Sequence, residues 1–140
     1  MKPWLVDAFI AMTFAGVTTV IAKQGLAGVS AELGIGVRTV FVFFFVMAFV
    51  LFVVPLAEVK AIDSASLGWL AISALTTAVS WVYFYKALKH GDVATVALVD
   101  KGSVVVAVIL AWLFLKEVLT LRLVLGAALI VAGLLLISRK

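Results

Sequence analysis

Cysteine is absent from this sequence of 140 residues, and charged residues are scarce. Without cysteine the chain cannot form disulfides, thiolate nucleophiles or cysteine-ligated metal sites. The one histidine, His90, cannot make a histidine metal cluster within a single chain. Charged residues make up 13% of the sequence, whereas a soluble domain typically carries roughly 25%. We therefore expect no metal, no cofactor and no water-soluble domain.

Hydrophobic residues dominate what is present, at 66% of the sequence, and the mean hydropathy is +1.34. Crossing the hydrocarbon of a bilayer takes roughly 20 apolar residues in a helix, which satisfies its own backbone hydrogen bonds. The sequence predicts an all-α integral membrane protein, with five transmembrane helices in one domain spanning residues 1–140. The predicted spans are about residues 4–22, 37–56, 67–88, 93–115 and 121–138.

Polar residues mark the joints between these spans. Asp63 is predicted to cap the start of the third helix and Thr120 the start of the fifth. Pro55 stops the second span, and the glycine-rich residues 24–36 are predicted to form the one long loop. Consecutive helices joined by such short connections are expected to be antiparallel neighbours.

The basic residues are distributed almost evenly between the two membrane sides, although the formal net charge is +4. Five spans place four of them on the side of the N terminus and six on the other side. So weak a bias is compatible with insertion in both orientations, which would give an antiparallel homodimer with inverted repeats. A single orientation remains the alternative. Because the basic residues are scattered singly, they suit anionic lipid headgroups rather than nucleic acid.

Two adjacent charges, Asp100 and Lys101, fall inside the fourth predicted span. An unpaired charge near the helix centre costs roughly 2.5–3.5 kcal/mol on insertion scales. Neighbouring residues project about 100° apart on a helix, so we expect these two not to face each other. Gly102 and Ser103 follow, and the glycine could loosen the helix and open its backbone to a ligand. A binding or proton-coupling site is favoured over a snorkelling lysine beside a helix cap.

Three further residues are candidates for solute binding. Lys23 ends the first predicted span and Arg38 opens the second, where interfacial anchoring is an equally good interpretation. Trp81 shares a helical face with Thr77 and Tyr85, which could form a polar path with an aromatic wall. Tyr85 is nevertheless interpreted as part of the interfacial aromatic belt.

No serine–histidine pair, nucleotide-binding loop or metal-ligand spacing is present. The chain is therefore predicted not to be an enzyme, and not to pump solutes with ATP by itself. Asp100 is the best intramembrane acid for coupling to an ion gradient, because Glu32 and the remaining candidates are interpreted as facing water.

A family pattern runs through residues 80–139. Its members here are Trp81, Tyr85, Ala87, Leu88, Gly91, Glu117, Thr120, Gly126 and Gly133. This stretch resembles the EamA-type family of the drug/metabolite transporter superfamily, with a looser likeness in the N-terminal half. It looks most like half-size members, which carry one five-helix unit and an aspartate-lysine-x-serine motif matched by Asp100, Lys101 and Ser103.

The resemblance implies a homodimer with antiparallel packing, and Lys23 and Arg38 as site residues. The chain departs from the family in lacking a proline between Asp92 and Leu115. It also lacks the glutamate that small multidrug resistance proteins carry in their first helix, so exchange of lipophilic cations by that mechanism is not supported. The basic trio of Lys23, Arg38 and Lys101 favours an anionic or zwitterionic solute.

These observations predict a multi-pass protein of the bacterial inner (plasma) membrane. The predicted function is ion-coupled secondary transport, in the export direction, of small metabolites or drug-like solutes by a homodimer with alternating access. The predicted substrate- or ion-binding residues are Asp100, Lys101, Lys23, Arg38, Ser103 and Trp81. A non-transporting membrane subunit and a lipid-carrier flippase remain alternatives, and an apolar lateral groove between helices would favour the flippase.

Overall fold

The computed structural model describes residues 2–137, which form seven α-helices and, within that range, no β-strand. The helices are α1 (Pro3–Gly25), α2 (Ala31–Val53), α3 (Leu56–Lys60), α4 (Ser64–His90), α5 (Val93–Asp100), α6 (Ser103–Leu115) and α7 (Leu121–Ile137). The helices α5 and α6 together form the fourth predicted span.

Four segments are long and apolar enough to cross a membrane: α1, α2, α4 and the pair α5–α6. They contain 23, 23, 27 and 23 residues, which corresponds to about 35–40 Å of helix. The apolar helix α7 has 17 residues, close to the lower limit of roughly 17 for a span. The predicted end of the fifth span at Ser138 lies outside the described residues. The all-α membrane class is confirmed.

The second span begins earlier than predicted. Helix α2 starts at Ala31 rather than near residue 37, and the predicted loop of residues 24–36 shrinks to residues 26–30. Gly28 turns this short loop with a φ of +79°, and the Ser30 hydroxyl accepts the Leu33 N–H at 3.2 Å, which caps the helix. As a result Arg38 lies two turns inside α2 instead of opening it.

Tertiary packing explains why a glycine belongs inside this helix. A Cβ atom on Gly34 would collide with the Leu26 side chain and would touch the Tyr85 ring at 3.9 Å. Leu26 is only 2% exposed, so the loop side chain fills the space that the glycine leaves. Close packing therefore outweighs the low helix propensity of glycine at this position.

The predicted helix caps are confirmed. Asp63 accepts the backbone N–H groups of Ala65 at 3.1 Å and Ser66 at 3.2 Å, and Thr120 accepts that of Leu123 at 3.3 Å. Hydrogen bonding by Ser66, through its hydroxyl and then its backbone, holds the pKa of Asp63 below its ordinary value. The short helix α3 after Pro55 was not predicted.

The chain divides into two compact units, Met1–Ile21 with Gly91–Lys140, and Ala22–His90. In the first unit α7 packs against α5 and α6, and in the second α2 packs along α4. A Cβ atom on Gly102 would meet Leu134 at 2.9 Å, so the junction of α5 and α6 packs closely on α7. The single transmembrane domain remains a prediction.

Candidate functional site

The predicted site residues divide between the two units. Asp100, Lys101 and Ser103 belong to the first unit, and Lys23, Arg38 and Trp81 belong to the second.

In the second unit Arg38 stacks on aromatic rings. Its guanidinium carbon lies 4.4 Å from the centre of the Trp81 ring and 5.9 Å from that of Tyr85. Within residues 2–137 no carboxylate pairs with Arg38 and no hydrogen bond reaches it. Its surroundings are therefore aromatic faces, which attract a cation by up to about 2 kcal/mol when desolvated. The structure brings together Arg38 and Trp81, two of the predicted site residues; their contact with a solute stays a prediction.

Tyr85 is not a belt residue, because it is only 4% exposed. Trp81 and Tyr85 are four residues apart in α4, so their rings lie on one helix face. That face is the one that Arg38 contacts from α2. The spacing of Trp81 and Tyr85 could be read from the sequence. Because the start of α2 was predicted too late, the sequence did not indicate that Arg38 would contact them.

Two lysines tie the ends of α1 and α4 together reciprocally. The Lys23 ammonium donates to the carbonyl oxygens of Leu88 at 2.6 Å and Lys89 at 3.3 Å. The Lys89 ammonium donates to those of Leu26 and Val29, both at 2.7 Å. The last carbonyls of α4 carry partial negative charge, which favours the Lys23 ammonium there. The carbonyls that Lys89 contacts belong to the loop of residues 26–30. We call this arrangement the lysine clamp; a contact between Lys23 and solute remains a prediction.

Glu32 at the start of α2 and Lys86 near the end of α4 form an ion pair, with 3.4 Å between oxygen and nitrogen. Their side chains are 64% and 50% exposed, respectively. That Glu32 faces water stays a prediction. Neither the pair nor the role of Lys89 was predicted from the sequence. The sequence signal that could have indicated this pair is the predicted topology, which places the start of α2 on the same membrane side as the end of α4.

A laterally open groove of about 680 Å³ lies between α2 and α4. It is lined by Glu32, Ile35, Gly36, Thr39, Leu70, Ser73, Ala74, Thr77, Ala78, Trp81 and Val82. Most of these side chains are apolar or small. The hydroxyls of Thr39 and Thr77 donate to backbone carbonyls of their own helices, at 2.8 and 2.9 Å. Their lone pairs and the Ser73 hydroxyl remain available to a ligand.

In the first unit Asp100 and Lys101 form an ion pair, with 3.3 Å between oxygen and nitrogen. The expectation that they would not face each other is wrong. The four-carbon lysine stem folds back over the short aspartate, so side-chain reach overrides the backbone projection. Their side chains are 38% and 53% exposed, respectively.

The helix is interrupted directly after this pair. Within the turn the N–H of Lys101 bonds the Leu98 carbonyl at 3.1 Å, and the N–H of Gly102 bonds that of Val99 at 2.9 Å. These bonds span three residues instead of four, which tightens the chain into a 3₁₀-type turn before α6 begins at Ser103. Such turns inside a long helix often mark functional hinges. The helix is thus interrupted at Gly102, but the turn is tight and its N–H is bonded; that the backbone opens here to a ligand stays a prediction.

Comparison with known proteins adds two findings. Residues 2–139 match the model of the EamA-like transporter family. An uncharacterized transporter in the cobO 3′ region of a Sinorhizobium species is 37% identical over 137 residues, which cover 98% of this chain and 97% of that protein. No solved structure matches the chain.

Proposed function

Because this chain belongs to the EamA-like transporter family, we propose that it is an ion-coupled secondary carrier of small metabolites or drug-like solutes. It is a membrane transporter of the drug/metabolite superfamily. Our proposal adds export as its direction, the bacterial plasma membrane as its location, and alternating access in a homodimer as its mechanism.

One observation carries the ion coupling: the Asp100–Lys101 pair lies at a 3₁₀-type turn inside a membrane span. Protonation of Asp100 would remove the negative partner of the Lys101 ammonium. The turn at Gly102 offers a place where α6 can reorient in response, because hinge motions use a few residues at helix ends. Asp100 would bind the coupling proton, and Lys101 with Ser103 would contact solute.

Proton flux in proteoliposomes loaded with a pH-sensitive dye tests this coupling. Amino acids, organic anions and amphiphilic cations are screened against wild type, Asp100→Asn and the control Asp92→Asn. Asp92 precedes α5 just outside the span and accepts the Thr95 hydroxyl, and the asparagine oxygen can accept the same hydrogen bond. We expect solute-dependent proton movement in wild type and the control, but not in Asp100→Asn. Transport that survives Asp100→Asn would remove Asp100 from coupling.

Exposure of the helices supports the homodimer. Among the described residues only five side chains are buried, namely Thr19, Leu26, Ala31, Tyr85 and Leu88. Lipid can cover such surfaces, but five helices hardly enclose a solute path. Because the chain has no cysteine, one cysteine placed at Lys60 reports orientation. Labelling of that cysteine from both membrane sides, together with a dimeric mass in nanodiscs, is the expected result; a monomeric mass in detergent and lipid contradicts it.

A lipid-carrier flippase is a second candidate function, and the groove between α2 and α4 supports it. It opens laterally and is mainly apolar, which suits a lipid chain. Transfer of a fluorescent anionic lipid between leaflets of proteoliposomes, in the absence of solute flux, would favour this function over the carrier.

A further inference from the structure

We propose that the groove and Arg38 together bind a small amphipathic organic anion, a single carboxylate on an aromatic or aliphatic body. This inference rests on the proposed carrier function and deepens it, because it names the chemical class of the solute and the residues that select it.

The anion is inferred from Arg38. Its Cα atom lies about 10 Å along α2 from the helix start, and its guanidinium has no acid or hydrogen-bond acceptor among residues 2–137. A charge inside a span is costly without a partner. The contact with the Trp81 ring uses no hydrogen-bond acceptor, so the N–H donors of the guanidinium are left for a ligand. A carboxylate matches these donors with two parallel hydrogen bonds.

The apolar body is inferred from the groove. Its volume of about 680 Å³ lies within the range of roughly 300–1,000 Å³ for small-molecule sites. Gly36, Ala74 and Ala78 keep the space open, and Trp81 forms part of its wall. The same tryptophan therefore contacts both the guanidinium and the groove, which joins the two halves of an amphipathic ligand.

The polar groups of the groove distinguish this ligand from others. Among the described lining residues Glu32 is the one acid, and Lys86 already pairs with it at 3.4 Å. A cationic solute would therefore find no free carboxylate, and the ammonium of a zwitterion would find no acid at Arg38. Ser73 and Thr77 add hydroxyls that a solute can use, whereas a lipid chain cannot. A small organic acid fits these features best.

Fluorescence of Trp81 can report binding at this place. The other three tryptophans, Trp4, Trp69 and Trp112, are replaced by phenylalanine, and the protein is placed in nanodiscs of zwitterionic lipid. The ligands are 3-phenylpropionate, phenylalanine and 2-phenylethylamine, which share one aromatic body and differ in charge, with octanoate as an aliphatic acid. We expect the two acids to bind at least tenfold more tightly than the zwitterion and the amine.

Variants assign this preference to residues. Arg38→Gln should weaken binding of the acids at least tenfold, and Arg38→Lys should weaken it less, because it keeps the charge but loses the planar donors. Ala74→Leu, which fills the groove, should weaken both acids while Arg38 stays in place. Lys60→Gln removes an exposed lysine outside the spans and should leave binding unchanged. A thermal melt of each variant verifies folding.

Three results would overturn the proposal: binding of neither acid, equal binding of all four ligands, or acid binding unchanged in Arg38→Gln. Binding of neither acid, together with a Trp81 fluorescence change caused by an anionic lipid in the nanodisc, would identify a lipid as the occupant. Because binding is measured without flux, acid binding without transport would refute the carrier alone. Proton-coupled transport of other solutes without acid binding would refute this inference alone.

Discussion

Removing the Lys23 ammonium should destabilise the second unit. In Lys23→Met the side chain keeps its length and apolar stem but loses both hydrogen bonds to the end of α4. The carbonyls of Leu88 and Lys89 would then lack these donors at a helix terminus, and Leu88 is completely buried. Because Leu88 is buried, water reaches its carbonyl poorly and cannot fully replace the lost donor.

The expected loss can be estimated from the geometry. A hydrogen bond to a charged group contributes about 1.5–3 kcal/mol, and the bond of 2.6 Å to Leu88 is the stronger of the two. Allowing for partial exposure of Lys23, we expect Lys23→Met to lower the free energy of unfolding by about 2 kcal/mol. Lys89→Met removes two bonds of 2.7 Å and should cost as much or more.

Denaturation by sodium dodecyl sulfate in mixed micelles, followed by circular dichroism, measures these changes. Lys60→Met is the matched control, because Lys60 is an exposed lysine at the end of α3. The double variant of Lys23 and Lys89 should lose less than the sum of the single losses, by about 0.5–1 kcal/mol, because both lysines hold one junction. The reasoning fails if Lys23→Met unfolds like the control.

Three further substitutions test local features. Gly102→Ala should lower the free energy of unfolding by about 1 kcal/mol, because crowding against Leu134 and a backbone carbonyl outweighs the gain in helix propensity. Gly126→Ala is the control, because the space at its Cβ position is open, and it should cause no such loss. Lys116→Gly should raise the free energy of unfolding by about 1 kcal/mol, because Lys116 has a φ of 55° and the left-handed region is costly for residues other than glycine. Lys116→Ala should show no such gain in the same unfolding assay. Hydrogen bonds lower the folded pKa of Asp63, so its cap stabilises α4 at neutral pH and is lost as pH falls through that pKa. The melting temperature of Asp63→Asn should equal that of wild type at pH 7 and should exceed it in acid, where the wild-type carboxylate is protonated.

Hydropathy predicted the spans well because a bilayer imposes one requirement on every helix that crosses it. Asp63 and Thr120 could be assigned as caps because capping depends on a few neighbouring residues. The start of α2 was not predicted, because it depends on a contact between residues that only the folded loop brings together. Gly34 indicated a loop locally, but the contact with Leu26, which fixes the helix there, depends on how the loop folds back.

In the candidate site, too, local features could be predicted from the sequence and contacts between helices could not. The sequence singled out the two charges Asp100 and Lys101 and the aromatic Trp81, because each is unusual at its own position, but it did not predict the ion pair. It did not predict that Arg38 would stack on Trp81, since that contact joins residues of two helices and depends on the register between them. The lysine clamp was hidden likewise, because its acceptors are backbone carbonyls, which no side-chain pattern indicates.

The distribution of polar contacts bears on how the second unit would move in the proposed carrier cycle. Apolar burial drives helix association weakly in lipid, so hydrogen bonds and close packing have to hold helices together. In this unit the lysine clamp and the Glu32–Lys86 pair both lie where α2 begins and α4 ends. An opening at this end has to break the clamp, whereas the far ends of α2 and α4 carry no ion pair among the described residues. The far ends can therefore separate at a lower cost, and the stability lost in Lys23→Met measures how firmly the clamped end stays closed.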